Sequence, residues 1–230
     1  METESDKISS RIISVNPEPL GVFTLPIEKH LIYKKCIKTI AKNAPHDLRQ
    51  KYNNEKYTEH VCNQSNQNIF SSYPELADLK SDINTIILNY IDQIGFISKE
   101  IIINDAWVNI SKENAILNWH YHANSFISGN YFVNFNSQVD SMLGFKNDRI
   151  TGLRLSPSMR IPDNRNKQTL YNTPMWKVNL KEGQIVLWRS HLSHGYDEPN
   201  KGKNRITLSF NSMPKICTDN DNRYSFQLQD

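Results

Sequence analysis

From about residue 100 the chain changes its apolar rhythm. Before that point apolar residues recur at helical spacing. Beyond it they gather in short runs rich in β-branched and aromatic side chains, at 101–108, 126–135, 175–180, 184–188 and 205–210. Turn formers separate the runs: Asn147 and Asp148, Pro162 and Asn164, Glu182 and Gly183, Pro199 and Gly202. Several short strands at this spacing predict an antiparallel sandwich or barrel. At 230 residues the chain has the length for one such domain with its own core, without disulfides or a structural metal.

The first hundred residues supply the flanking elements. Residues 1–18 are polar and predict a flexible N-terminal segment. A short strand follows over 21–27. A helix over 28–41 carries Leu31, Ile32, Cys36, Ile37 and Ile40 as its apolar face. Pro74 opens a second helix, with Leu76, Leu79, Ile83, Ile86, Ile87, Tyr90 and Ile91 at helical spacing and an end near Gly95. The polar stretch 43–73 between them carries Tyr52, Tyr57, His60 and Phe70, which are placed to pack across one mouth of the barrel. The expected organisation is a single domain over 19–218, with a helical part at 28–96 and a β core at 100–212, and a C-terminal tail at 219–230.

Charge and cysteine usage narrow the function classes. A net charge of +3 gives no nucleic-acid or membrane signal. No stretch approaches the roughly 18 to 20 apolar residues of a bilayer span. The opening METESDKISS has neither the basic nor the apolar region of a secretion signal. Cys36, Cys62 and Cys217 are odd in number, widely spaced and without a Cys-x-x-Cys pair, which argues against a disulfide framework. These features predict a cytoplasmic protein.

Four of the seven histidines fall into two clusters inside the β half: His120 with His122, and His191 with His194. Residues i and i+2 of a strand face the same side, so His120 and His122 point together. Such a pair can hold one metal ion while leaving its other face open, and the second cluster can supply a third ligand. Arg205 follows His194 by eleven residues and opens a run in which Arg205, Thr207, Ser209 and Asn211 alternate with Ile206, Leu208 and Phe210. An arginine on the polar inner face of a barrel is unfavourable unless it meets an anion, and its fork suits a carboxylate. A His-x-His pair alone is more often polar surface than a metal site. Two imidazoles, a long β-rich insert, a third histidine and then an arginine form a more specific order, that of non-haem iron oxygenases.

The chain resembles the 2-oxoglutarate- and Fe(II)-dependent oxygenase superfamily, and within it a prolyl-hydroxylase-like family of bacteria and phages. The resemblance rests on His120-Tyr-His122-Ala-Asn124-Ser125 followed by Ser128-Gly129 and Tyr131, preceded by Trp107-Val-Asn109. It continues through Gly152-Leu-Arg-Leu-Ser-Pro157, Gly183, the strand at 185–188, His194 and Arg205-Ile-Thr-Leu-Ser-Phe-Asn211. It covers roughly residues 100 to 212. It implies a mainly β fold with flanking helices, a double-stranded β-helix or cupin-like jelly roll, in an oxygenase domain.

The same resemblance implies a site and a reaction. His120, His122 and His194 would hold Fe(II), with His122 standing where most members carry Asp or Glu. A ligand set of His122 with Asn124 is a second arrangement, and Asn124 could instead touch substrate. A carboxylate from elsewhere, Asp140 or Asp148, is a third. Arg205, helped by Thr207, would grip the distal carboxylate of 2-oxoglutarate, with Asn109 and Tyr131 as further cosubstrate contacts. Trp107 reads more readily as core. O2 and 2-oxoglutarate would be consumed and a small-molecule or amino-acid substrate hydroxylated. His191 reads as support or surface, and 157–173 as a lid or a solvent loop. Two other functions fit the residues: a three-His cupin-type dioxygenase that does not use 2-oxoglutarate, and a non-catalytic jelly-roll binding module.

Overall fold

Seven antiparallel strands form the larger sheet of the computed structural model, in the order β1 (Gly21–Thr24), β8 (Gln184–Arg189), β5 (Ile127–Asn134), β10 (Arg205–Pro214), β4 (Ile101–Ser111), β3 (Thr58–Val61), β2 (His46–Asp47). A smaller sheet has the order β7 (Met175–Lys177), β6 (Leu143–Lys146), β9 (His194–Tyr196), and β11 (Ile216–Thr218) pairs with β12 (Ser225–Gln227). The structure describes residues 18–44, 46–47, 58–61, 68–146, 166–167, 169, 173, 175–218 and 225–227. The mainly β architecture with helices on one side agrees with the sequence reading. The proposed strand at 152–157, Asp148, most of the 157–173 segment, Cys62, Tyr52 and Tyr57 lie outside the described residues.

Alternation along the three central strands decides which side chains meet the site. On β10, Ile206, Leu208 and Phe210 join Ala106, Val108 and Ile110 of β4 in a core beneath the helices. The intervening Arg205, Thr207, Ser209 and Asn211 therefore face the barrel interior, as the sequence alternation predicted. The ladder between β10 and β4 runs from Arg205 opposite Ser111 to Pro214 opposite Ile101, with a bulge at Asn211/Ser212. On β5, Ile127, Tyr131 and Val133 join the helical core, while Phe132 joins a second core between the two sheets. That second core also holds Phe135, Leu143, Phe145, Leu180, Val186, Trp188 and Tyr196.

The helices close the outer face of the larger sheet. The α3 helix (Ala77–Gln93) follows a 3-10 turn at Pro74–Leu76 and buries Leu79, Ile83, Ile87, Tyr90 and Ile91, close to the expected face. The short α2 helix (Ile69–Ser72) is capped by the Asn68 side chain and buries Phe70 in the same core, so Phe70 does not reach the barrel mouth. The α1 helix (Ile27–Asn43) corrects the sequence reading: it buries His30, Tyr33, Ile37, Ile40 and Ala41, whereas Leu31 and Ile32 are exposed. The reason is polar satisfaction. His30 meets the Tyr131 hydroxyl at 2.7 Å and Glu182 at 3.2 Å, and the Tyr33 hydroxyl donates to Asp82 at 2.7 Å. Those contacts make the His30–Tyr33 face the favourable one to bury.

Gly129 packs tightly against its neighbours. A Cβ there would run into the Phe210 ring and Leu187, so only glycine lets β5 lie against its neighbours beneath the helices. Gly183, at φ +84°, turns the chain into β8 in a conformation that L side chains rarely adopt.

Candidate metal centre

A single antiparallel bridge builds the centre. His120 and His194 exchange both backbone hydrogen bonds, at 3.0 and 2.9 Å, which sets them directly opposite each other. The His122 amide donates to the Ser190 carbonyl at 2.9 Å and continues the pairing. Directly opposed residues and residues two apart share a face. His120, His122 and His194 therefore converge, and one ring nitrogen from each lies within 4.8 Å of the others. Among the described residues no carboxylate joins this group.

Hydrogen bonds at the other ring nitrogens fix what the imidazoles offer. Nδ1 of His120 lies 2.7 Å from the Asn118 carbonyl, and Nδ1 of His194 lies 3.0 Å from the Leu192 carbonyl. Nδ1 of His122 lies 2.6 Å from Oδ1 of Asn211 and 3.0 Å from Oγ of Ser128. The carbonyl oxygens only accept, so each Nδ1 carries the proton and each Nε2 keeps its lone pair. Burial lowers the pKa of His122 to about 4, with repulsion from His120 adding to it and the bond to Asn211 opposing it. Burial, again with repulsion from His120, holds His194 well below the ordinary value. Both are neutral at pH 7, as metal ligands must be. Three imidazole nitrogens on one face fit a divalent first-row transition metal and leave its remaining positions open.

Arg205 lies in the same barrel, completely buried. Its Nη1 donates to the Tyr196 hydroxyl, and its guanidinium carbon lies 4.5, 5.5 and 5.7 Å from the ring centres of Tyr196, Phe132 and Phe135. Nε and Nη2 are buried with no hydrogen-bond partner among the described residues. A buried guanidinium with two idle donors is strongly unfavourable unless an anion arrives to accept from them. This observation fits a carboxylate ligand.

The remaining sequence candidates divide. Asn109 faces the interior opposite Thr207: its Nδ2 donates to Ser209 at 2.8 Å and lies 3.5 Å from the Thr207 hydroxyl, and its Oδ1 accepts from Trp107 Nε1 at 3.0 Å. Trp107 itself reaches the site, with its ring centre 6.2 Å from that of His122. Tyr131 does not. It lies on the helical face of β5 with its hydroxyl on His30, because strand alternation turns it away from the interior that Ser128 and Phe132 face. Asn124 is exposed in a turn after His122 and accepts from Ser125 at 3.3 Å. The extended backbone stops before it, so the same-face argument that paired it with His122 fails. Asp140 is buried elsewhere, accepting from the Asn136 amide at 2.7 Å. His191 is exposed beside Glu18.

Sequence reasoning missed the supporting residues Ser128, Ser190 and Tyr196, and named Asn211 only as sharing a face with Arg205. The Ser-Gly pair and the polar alternation of β10 were the available signals. The contacts between strands distant in sequence were not.

Residues 105–211 match a family model described as "Putative 2OG-Fe(II) oxygenase". No curated protein matches the chain. Among solved structures, the chain is similar to the non-heme alpha-ketoglutarate-dependent epimerase SnoN of nogalamycin biosynthesis, at 11% identity and a TM-score of 0.60 over 86% of this chain and 77% of that one. It is similar to HygX from Streptomyces hygroscopicus, solved with nickel, 2-oxoglutarate and hygromycin B, at 10% identity and 0.56 over 92% of each chain. It is also similar to a prolyl-4-hydroxylase from Pseudomonas putida, at 10% identity and 0.54 over 85% and 92%. At such identities these likenesses speak for the fold, the double-stranded β-helix. Residues 105–211, a little under half of the chain, are thus similar in sequence to the 2OG-Fe(II) oxygenase family.

Proposed function

We propose that this chain is an Fe(II)- and 2-oxoglutarate-dependent oxygenase that hydroxylates a C–H bond of a small molecule or of an amino-acid side chain, with the domain at 19–218 carrying the activity. The observation that carries this reading is the pair of idle donors on Arg205, set in the same barrel as three imidazoles that share one tautomer. His120, His122 and His194 would hold the metal through Nε2. Arg205 would receive the distal carboxylate of 2-oxoglutarate on Nε and Nη2, while Tyr196 holds Nη1 and the rings of Phe132 and Phe135 exclude water from the ion pair. Thr207 lies one inward step along β10 from Arg205 and would support the same carboxylate. Asn109, held by Trp107 and Ser209, offers a fixed amide wall on the neighbouring strand. Bound Fe(II), with 2-oxoglutarate as the co-reductant, supplies the means to activate O2 for attack on a C–H bond. The chain's own contribution is positioning and exclusion of water. HygX was solved with hygromycin B bound and SnoN with nogalamycin RO, which favours a small-molecule substrate here.

Succinate release measured with Fe(II), 2-oxoglutarate and O2, each omitted in turn, tests the reading. Succinate that requires all three supports it. O2 uptake with Fe(II) alone would instead identify a three-His dioxygenase, which the three-imidazole set favours and the idle donors of Arg205 disfavour. No turnover at all would indicate a binding module.

A further inference from the structure

His120 and His194 are each held by a backbone carbonyl two residues earlier in the chain, Asn118 and Leu192 respectively. No side-chain substitution removes those acceptors. His122 is held differently. Its Nδ1 meets a side chain, Oδ1 of Asn211, across the barrel on β10. We propose that Asn211 is the positioning residue of this centre: it fixes the tautomer and ring orientation of His122. The proposal rests on the metal reading above.

The Asn211 amide turns Oδ1 toward both Ser128 and His122. Ser190 and Ser128 lie 2.7 Å apart, Ser128 lies 2.8 Å from Oδ1 of Asn211, and all three residues are buried. The chain of donors runs from the Ser190 hydroxyl to Ser128, and from Ser128 to Asn211 Oδ1. Oδ1 then accepts a second bond, from His122 Nδ1–H. Reversing the amide would set its NH2 against Nδ1, move the ring proton to Nε2 and remove the lone pair that a metal needs. The Ser128–Asn211 pair thus performs for His122 what a main-chain carbonyl performs for the other two ligands. A neutral amide also leaves His122 a neutral donor, where an aspartate in its place would push charge through the ring onto the metal.

The test reads the tautomer directly and the metal separately. In metal-free protein labelled with 15N, the histidine ring nitrogens should show His122 protonated at Nδ1 in the parent, and mixed or Nε2-protonated in Asn211→Leu. Mn(II) affinity should weaken about 10- to 100-fold in Asn211→Leu, the range found for partners of metal-binding histidines. It should hold or tighten in Asn211→Asp, which keeps the acceptor and guards against a folding defect in the leucine variant. The Asn211→Leu effect on Mn(II) affinity should vanish in a His122→Ala background, since a positioning residue acts only through its ligand. An Nε2-protonated His122 in the parent overturns the proposal, as does an unaltered tautomer or an undiminished loss in the His122→Ala background. Failure of the parent to bind Mn(II) would sink the metal reading instead, and the tautomer measurement would still judge Asn211.

Discussion

Arg205 gives a guanidinium hydrogen bond to the Tyr196 hydroxyl and leaves Nε and Nη2 buried without an acceptor among the described residues. Tyr196 lies two residues beyond His194 on β9, so the partner of the buried cation and a candidate metal ligand share one face of one short strand. The strand couples the two ends of the site. A ligand that bridges the imidazoles and the guanidinium would be gripped by elements already fixed to each other.

Replacing Arg205 by Lys keeps the charge and removes the fork. If Arg205 anchors a carboxylate, 2-oxoglutarate affinity for the Mn(II)-loaded protein should fall by about 2–5 kcal/mol, the range for a buried charge pair broken on one side. The melting temperature without ligand should barely change, because the buried charge is kept and no ion pair of the unliganded fold is lost. Calorimetric titration and a thermal melt on the same sample separate the two effects.

His122→Asp restores the commoner carboxylate to the cluster. Fe(II) binding should be retained or tightened relative to the parent, whereas His122→Ala should weaken it. Asn124→Ala should leave it unchanged, since Asn124 is exposed in the following turn. Equilibrium dialysis against Fe(II) under nitrogen checks all three.

Gly129→Ala should destabilise the fold by about 1–3 kcal/mol through overpacking, because the added methyl meets Phe210 and Leu187 inside the helical core. The clash is with rings and methyls already fully buried, so little room exists for relief. Urea denaturation with an unchanged slope would measure it.

Glu182 ties α1 to the barrel. Burial by itself would raise its pKa, but bonds from Lys34, the Phe135 amide and His30 outweigh burial and hold it below the ordinary carboxylate value. A depressed folded pKa stabilises above the unfolded value of about 4.3 and is lost as pH falls through the folded one. Glu182→Gln should therefore be less stable than the parent at pH 7, by a modest amount given its partial exposure. The gap should narrow steadily below about pH 4. Denaturation across that range follows it.

The sequence was most legible where one rule governed a whole strand. The alternation in 205–211 placed Arg205, Thr207 and Asn211 inside, and the i, i+2 spacing of His120 and His122 placed them together; β10 and the histidine cluster agree with both. It was least legible where a polar tip decided burial. His30 and Tyr33 displaced Leu31 and Ile32 from the inner face of α1 because Tyr131, Glu182 and Asp82 were there to satisfy them. Tyr131 was misplaced for the same reason: a hydroxyl on a strand buried on both faces gives no hint of which side holds its partner. The Ser190–Ser128–Asn211 chain joins three segments far apart in sequence, and only their packing brings it together.

The most direct test is the affinity of 2-oxoglutarate for the protein loaded with Mn(II), for the metal-free protein, and for His194→Ala. Tight binding in the first case alone is expected, because the three imidazoles and Arg205 would hold opposite ends of one molecule through the metal. Equal affinity in all three, or none in any, would contradict an Fe(II)- and 2-oxoglutarate-dependent site at this place in the barrel.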